Sequence, residues 1–274
     1  MSKPLVSVYM AAIRPSLWMR LYDSLTKNDT VNFELICVGH VHPDYSLPEN
    51  LIHIYSPTKP VQCAEIGFRN VHGEYCIQAT DDLVFSPHCL DILYQRIRYN
   101  NFDLFHLPCC ISQGPDGKTL EKDKCRFWPG VVESPILPLC GMYQTKILKM
   151  IGGRDKRFVR SYADVDIAMR YYEQGGRAEI CDEALIKELP PPGTTYNSGL
   201  NWIGSQTDRP KLLSYWTIGK DYFDKLVEST VAVPFYCKSA SGTVYLCKRR
   251  QCVVQPFIDE LLLTKSQGDN DGWA

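Results

Sequence analysis

The sequence predicts an α/β fold, a mostly parallel central sheet flanked by helices, with a smaller extension at its C-terminal end. Three observations predict it. Short β-rich runs alternate with helical apolar spacing up to about residue 200, the pattern of parallel strands joined by right-handed crossovers. The run Tyr75-Cys76-Ile77-Gln78-Ala79-Thr80-Asp81-Asp82 is mostly apolar and ends in two carboxylates, as when a buried strand delivers acids to a crevice. After Pro190-Pro191-Pro192-Gly193 the texture turns Gly-, Asn- and aromatic-rich. Residues 1–200 are therefore read as one domain, and 201–274 as an extension packed on it.

Composition bounds the function classes. The 274 residues suffice for one large domain, and 45% hydrophobic with 22% charged residues is ordinary for a globular protein. A net charge of −1 gives no general affinity for nucleic acid or anionic membrane. No run approaches the ~20 apolar residues that span a bilayer. The N-terminus reads as the first strand and not as a secretory segment, so a cytoplasmic location is expected. The 12 cysteines lack the C-x-x-C spacing of a zinc site and mostly sit singly in apolar runs, as small hydrophobes do.

In order, Leu5 to Met10 is a strand, broken at Ala11-Ala12-Ile13-Arg14-Pro15. A helix follows from Ser16 to about Lys27, with Pro15 in its first turn and Leu17, Leu21 and Leu25 at four-residue spacing. Phe33–Val38 and Leu51–Tyr55 are strands, and Val61–Asn70 is helical. Then comes the acidic strand from Tyr75. Phe85-Ser86-Pro87 reads as the cap of a helix from about Pro87 to Tyr99. Phe102–Leu107 is a strand, Ile111–Trp128 a loop or loose hairpin, Ile136–Tyr143 extended and Thr145–Ile151 helical. Ala163–Gln174 is a helix closed by Gly175-Gly176, followed by a strand at Arg177–Cys181. In the extension, Pro210–Val227 is helical and Val231–Val254 forms two short strands.

Two acidic elements carry the chemistry. Paired carboxylates at a strand end can hold a divalent cation and through it a diphosphate, although Asp81-Asp82 also suits a plain turn. The second element is Tyr162-Ala163-Asp164-Val165-Asp166, opening a helix. Positions two apart on a helix lie roughly 200° apart, so the two aspartates face different ways. Asp166 sits four residues before Arg170 and pairs along one face. Asp164 is left near the helix N-terminus, pointing elsewhere, where an acid is either a favourable charge or a functional group.

These residues resemble a known family. Leu5-Val6-Ser7-Val8, the strand at Phe33, the His72-Gly73-Glu74-Tyr75 turn ("GEY"), Thr80-Asp81-Asp82 in the place of a DxD motif, Gly152-Gly153-Arg154-Asp155-Lys156-Arg157-Phe158 ("GGFDERF") and Ala163-Asp164-Val165-Asp166 ("EDxD") are similar, in order and spacing, to the inverting, family-two glycosyltransferases of the GT-A fold. The resemblance covers residues 4 to about 185. It implies a GT-A, Rossmann-like sheet and transfer of a sugar from a nucleotide diphosphate sugar, UDP-linked by default, to an acceptor hydroxyl of a glycan. It implies Mn²⁺ or Mg²⁺ on Asp82, with Asp81 as a companion, to neutralise the leaving diphosphate. Asp164 becomes the base that takes the acceptor's proton. Ala11, Arg14 and Lys59, near the strand ends, are expected to approach the nucleotide, with solvated charge as the plain reading of the two cations.

The sequence departs from the pattern at named places. Thr80 replaces the first acid of DxD, Ala163 replaces the Glu of "ED", Gly39-His40 replaces the acid that reads the base, and no histidine follows His106. Trp128, Tyr196, Asn197 and Trp202 are candidates for stacking on sugar rings or for core packing, and Gly199 and Gly204 suit a hinged loop. Two other readings remain open: a nucleotidyltransferase, which lacks its Gly-rich loop here, and a binding module that kept the fold and lost the chemistry.

Overall fold

A computed structural model describes residues 3–99, 105–126, 134–191, 204–219 and 235–250. The first sheet contains β1 (Val6–Ala11), β2 (Phe33–Gly39), β3 (Leu51–Tyr55), β4 (Tyr75–Gln78) and β8 (Tyr143–Gln144). Their order is β3-β2-β1-β4-β8, parallel except for β8 at the edge. Helices α1 (Pro15–Leu25) and α2 (Pro60–Arg69) make the first crossovers. β1 is buried along nearly its whole length, as a sheet covered on both faces requires. Side chains alternate across it. Val6, Val8 and Met10 pack with Trp18, Leu21 and Leu25 of α1, while Tyr9 packs on the other face with Phe68 of α2.

The second sheet contains β5 (Leu83–Phe85), β6 (His106–Gln113), β7 (Leu120–Glu121) and β9 (Arg177–Glu188), in the order β5-β9-β6-β7. Helices α3 (Cys89–Tyr99), α4 (Thr145–Met150) and α5 (Ala163–Glu173) complete this region. A short helix, α6 (Arg209–Tyr215), leads into an antiparallel sheet of β10 (Trp216–Gly219), β11 (Phe235–Lys238) and β12 (Val244–Arg249). Leu212, Tyr215, Trp216, Tyr245 and Cys247 share a buried cluster with Val165, Ala168 and Met169 of α5. This is the mixed α/β, parallel-rich architecture that the sequence predicts. Among the described residues, no helix is long and apolar enough to cross a membrane.

Two glycines are dictated by close approach. A Cβ on Gly39 would lie 1.9 Å from the Ala12 carbonyl oxygen, so the chain leaves β2 directly against the turn after β1. A Cβ on Gly73 would lie 2.7 Å from the Ser7 nitrogen, and the Gly73 amide donates to Ser7 Oγ at 2.8 Å. The glycine of the "GEY" turn is thus what lets β4 start alongside β1.

Several expected elements are corrected. α3 begins at Cys89, because Ser86 is drawn away to β9, where its Oγ accepts from the Leu185 amide at 3.1 Å. The cap comes instead from Asn28 Oδ1, which accepts from the Leu90 amide at 2.9 Å. The strand expected at Phe102–Leu107 begins at His106 and continues to Gln113 through residues read as loop, since β9 and β7 pair with it; residues 100–104 lie outside the described part. β9 runs to Glu188, well past Cys181, because it bridges β6 and β5. Ile136–Tyr143 is not extended throughout: Ile136 makes an isolated bridge with Arg126, Cys140 takes a positive φ of 43°, and only Tyr143 enters a strand, β8. The long helix expected from Pro210 stops at Tyr215, and Trp216–Gly219 is β10, paired with β12. The remainder of that helix, 220–227, lies outside the described residues.

The cysteines behave as expected of small hydrophobes. The described ones are free thiols, all buried but Cys140. Burial pushes the thiols of Cys76, Cys125 and Cys181 up to about 12, which keeps them protonated.

Candidate functional site

The site begins where β4 ends. Asp81 is buried, and its carboxylate is taken up by the turn after β1. Oδ2 accepts from the backbone amides of Ile13 at 3.2 Å and Arg14 at 3.0 Å. Oδ1 accepts from Arg14 Nε at 2.9 Å and also from its Nη2. Hydrogen bonding to Asp81 raises the Arg14 pKa further. Asp81 is therefore a clamp between β1 and β4. Asp82 faces outward, with its side chain 15% exposed. Its Oδ1 accepts from the Thr80 hydroxyl at 2.7 Å, and its Oδ2 lies 3.1 Å from Arg14 Nη2. Arg20 supports this turn from α1, donating to the carbonyls of Asp82 at 3.2 Å and Leu189 at 2.6 Å.

The other wall is the start of α5. The loop before it is held by Asp208, fully buried, whose carboxylate accepts from the amides of Val159 at 2.9 Å, Arg160 at 2.8 Å and Ser161 at 3.0 Å. Tyr162 then turns the chain with φ of 65°. Asp166 points inward: its Oδ2 accepts from Arg170 at 2.8 Å and its Oδ1 from Trp216 Nε1 at 2.9 Å. Asp164, in the same first turn, is exposed and, among the described residues, accepts only a local bond from the Val165 amide at 3.0 Å. Arg170 also donates to the carbonyls of Ile151 at 2.5 Å and Gly153 at 2.6 Å, so the glycine pair is tied to the same helix.

Between these walls lies a cavity of about 150 Å³. Tyr9 and Gln78 line it from the first sheet, Thr80 from just past β4, Pro138 to Gly141 from the loop before β8, Arg154 after the glycine pair, and Asp164 from α5. The fold thus brings together Thr80 and Asp164, about eighty residues apart. Asp82 stands beside this cavity through its bond to Thr80. Ala11 closes β1, and the amide after it donates to the Val38 carbonyl at 2.8 Å. Lys59 is exposed at the N-cap of α2, where its amide donates to Gln62 Oε1 at 3.0 Å. Neither Ala11 nor Lys59 lines the cavity. Gly204 opens a short π-helical turn to Asp208, whereas Trp128, Tyr196, Asn197, Gly199 and Trp202 lie outside the described residues.

Three residues here escaped the sequence reading. Asp208 carried no motif. Gln78 was read only as part of a strand. Arg154 had a visible signal, because it stands where the family run carries an aromatic residue.

A second group of possible cation ligands, Asp29, His88 and Asp91, has its atoms within 4.8 Å of one another. Asp91 is already engaged by the amides of Asp29 at 2.7 Å, Thr30 at 3.0 Å and Val31 at 3.0 Å and by the Thr30 hydroxyl at 2.6 Å. Burial alone would raise its pKa, but these donors outweigh it and hold the carboxyl below its usual range.

Comparison with known proteins bears on the fold. No protein-family profile matches the sequence, and no curated protein matches it. Solved structures do. The chain is similar to residues 1–349 of Staphylococcus aureus TarS, with a TM-score of 0.52 and 16% identity, covering 67% of this chain and 60% of that one. It is similar to the mannosyltransferase PcManGT from Pyrobaculum calidifontis in complex with GDP-Man and Mn²⁺, with a TM-score of 0.51, 15% identity, and 70% and 59% covered. It is also similar to GalNAc-T7 with UDP, GalNAc and Mn²⁺, with a TM-score of 0.50, 12% identity, and 69% and 44% covered. The chain therefore spans less than two thirds of the length of each. At these identities the likeness establishes the shared fold.

Proposed function

We propose that this chain is a glycosyltransferase that moves a sugar from a nucleotide diphosphate sugar, UDP-linked, to a hydroxyl of a glycan acceptor by an inverting single displacement. One observation carries the reading. An exposed helix-start carboxylate, Asp164, lines one cavity with Thr80, whose hydroxyl donates to the strand-end carboxylate Asp82, while the acid next to each carboxylate is tied inward by an arginine. The solved structures of similar fold support it, since they include complexes named with UDP, UDP-GlcNAc, GDP-Man and Mn²⁺.

Asp164 takes the proton of the acceptor hydroxyl. The acceptor oxygen forms its bond to the anomeric carbon as the bond from that carbon to the diphosphate oxygen breaks. The electron pair leaves with the nucleoside diphosphate, and a single displacement inverts the centre. Arg14, half-buried beside Asp82, lies where it can meet the growing negative charge of the leaving group.

Whether the donor set suits a divalent cation turns on Asp82. It offers oxygen ligands of the right hardness and is partly open to solvent, with the Thr80 hydroxyl beside it. Asp81 has both oxygens engaged, so it contributes through position. Mn²⁺ or Mg²⁺ held by Asp82 and the diphosphate oxygens would supply further neutralisation of the leaving group.

The test is incubation with a panel of nucleotide sugars, with and without Mn²⁺, reading release of nucleoside diphosphate. Slow hydrolytic release that rises with Mn²⁺ and is lost in Asp164→Asn is the expected result. Pyrophosphate release from a nucleoside triphosphate and a sugar phosphate would favour a nucleotidyltransferase instead. Tight binding with no turnover on any acceptor would favour a binding module.

A further inference from the structure

Buried polar atoms are normally hydrogen-bonded, and each exception needs an explanation. Among the described residues, six buried side-chain polar atoms have no partner: Trp18 Nε1, Arg20 Nε, Gln78 Oε1, Arg126 Nε, Ser134 Oγ and Arg154 Nε. Of these residues, Gln78 and Arg154 alone line the cavity beside Asp164. One presents a donor and the other an acceptor. Leaving such a group unpaired costs about 1–3 kcal/mol, so two in one cavity mark a place prepared for a polar ligand.

Both groups are held in place. The Arg154 amide donates to Glu65 Oε2 at 2.7 Å, and the carbonyl before it accepts from Arg170 at 2.6 Å. Gly153 takes a φ of 64°, and a Cβ there would lie 2.9 Å from Phe68, so this turn has little freedom. Arg154 is 6% exposed, and its charge partly offsets the upward push that burial gives the Tyr9 hydroxyl pKa. Gln78 ends β4, in register with Tyr9 of β1.

We propose that Arg154 Nε–H and Gln78 Oε1 read two hydroxyls on the ring of a neutral donor sugar seated in this cavity, making these residues specificity determinants of the transfer. The inference rests on the donor-site reading above and deepens it. Hydroxyls are the matching chemistry, because each can accept from one group and donate to another. A volume of about 150 Å³ equals roughly five waters' share of the liquid, the scale of one sugar ring. Leu139, Ile167 and Ile186 supply apolar lining for the ring's C–H faces. An anionic sugar is disfavoured, because Asp164 and Glu188 line the same space and the Arg154 charge also acts on the buried Glu65 carboxylate.

The experiment is calorimetric titration of wild type, Gln78→Leu and Arg154→Lys with UDP, GDP, UDP-glucose, UDP-GlcNAc, GDP-mannose and UDP-glucuronate. Lysine keeps the charge facing Glu65 and removes the Nε–H. In wild type, one neutral donor binds tighter than its nucleoside diphosphate. In each variant that extra affinity falls about tenfold, while the nucleoside diphosphate alone binds as before. A deoxy analogue lacking the hydroxyl that Gln78 reads binds Gln78→Leu and wild type equally. The inference is overturned if both variants keep the donor's extra affinity within twofold, or if UDP-glucuronate is the preferred donor. If wild type binds no nucleoside diphosphate at all, the donor-site reading itself fails and takes this inference with it. If Arg154→Lys does not fold, Gln78→Leu with the deoxy analogue decides alone.

Discussion

Asp164 and Asp166 share one helical turn and should respond to substitution in opposite ways. Asp166 is fully buried against Arg170, itself 2% exposed, at 2.8 Å. Asp166→Ala leaves that guanidinium charge buried without its counter-ion, which costs about 3–5 kcal/mol. It also removes the acceptor of Trp216 Nε1, at 2.9 Å, for about 1 kcal/mol more. In a chain of this size each kcal/mol moves the melting temperature by roughly 2–4 °C, so a fall of roughly 8–24 °C is expected. Asp164→Asn removes an exposed charge whose one hydrogen bond among the described residues is accepted from the Val165 amide, so stability should change by less than about 1 kcal/mol. Its turnover should nevertheless fall by about 10²- to 10⁴-fold, the usual worth of a general base. Calorimetric melting beside a nucleoside diphosphate release assay reads both. If Asp166→Ala melts within about 2 °C of wild type, the buried pair is not the anchor described. If Asp164→Asn turns over normally with binding intact, Asp164 is not the base.

Three further outcomes follow from the geometry. Asp82→Asn should raise the Mn²⁺ concentration needed for half-maximal turnover by about tenfold or more, and chelation of divalent ions should slow the wild type. Asp91→Asn should cost about 1–3 kcal/mol near pH 7, because the carboxylate accepts three amides and a hydroxyl. Since its folded-state pKa is lowered, that stability exists above the ordinary carboxylate value and is lost as pH falls through the folded-state one, so urea melts of the two proteins should converge on acidification. Gly39→Ala should destabilise by about 1–3 kcal/mol and broaden amide signals of Ala12 and Ile13, because its Cβ would sit 1.9 Å from a backbone oxygen that has to move. An unchanged spectrum there would mean that the β1 and β2 ends are not locked together.

What the sequence made legible was whatever repeats locally. β1, β2, β3 and β4 and helices α1, α2 and α5 each carry their own period and their own terminator, so their limits agree to within a residue or two with the structure. The misread elements depend on distant partners. α3 starts late because its cap is Asn28, far away in sequence, while the nearby Ser86 serves β9. β9 is long because β5 and β6 flank it, which no pattern inside residues 182–188 announces. The Asp166–Arg170 pair was readable from spacing alone. The engagement of Asp81 was not, since it depends on where the turn after β1 lies. Asp208, Gln78 and Arg154 matter only through what surrounds them.

The two acidic elements share one design, which argues that they belong to one site. At the end of β4, Asp81 is turned inward and held by Arg14 and two amides, and Asp82 is left outward. At the start of α5, Asp166 is turned inward and held by Arg170 and Trp216, and Asp164 is left outward. In each case the inner aspartate joins its own element to another: Asp81 joins β4 to the turn after β1, and Asp166 joins α5 to β10. The outer aspartates are therefore carried on backbone that is fixed from behind. A carboxylate that must meet a reacting atom gains from such fixing, because misplacement by an ångström costs about 10²-fold in rate. An acidic turn on a freely solvated surface would need no such anchors. The arginine behind each outer carboxylate is thus the feature that would separate a working pair from two unrelated acidic turns.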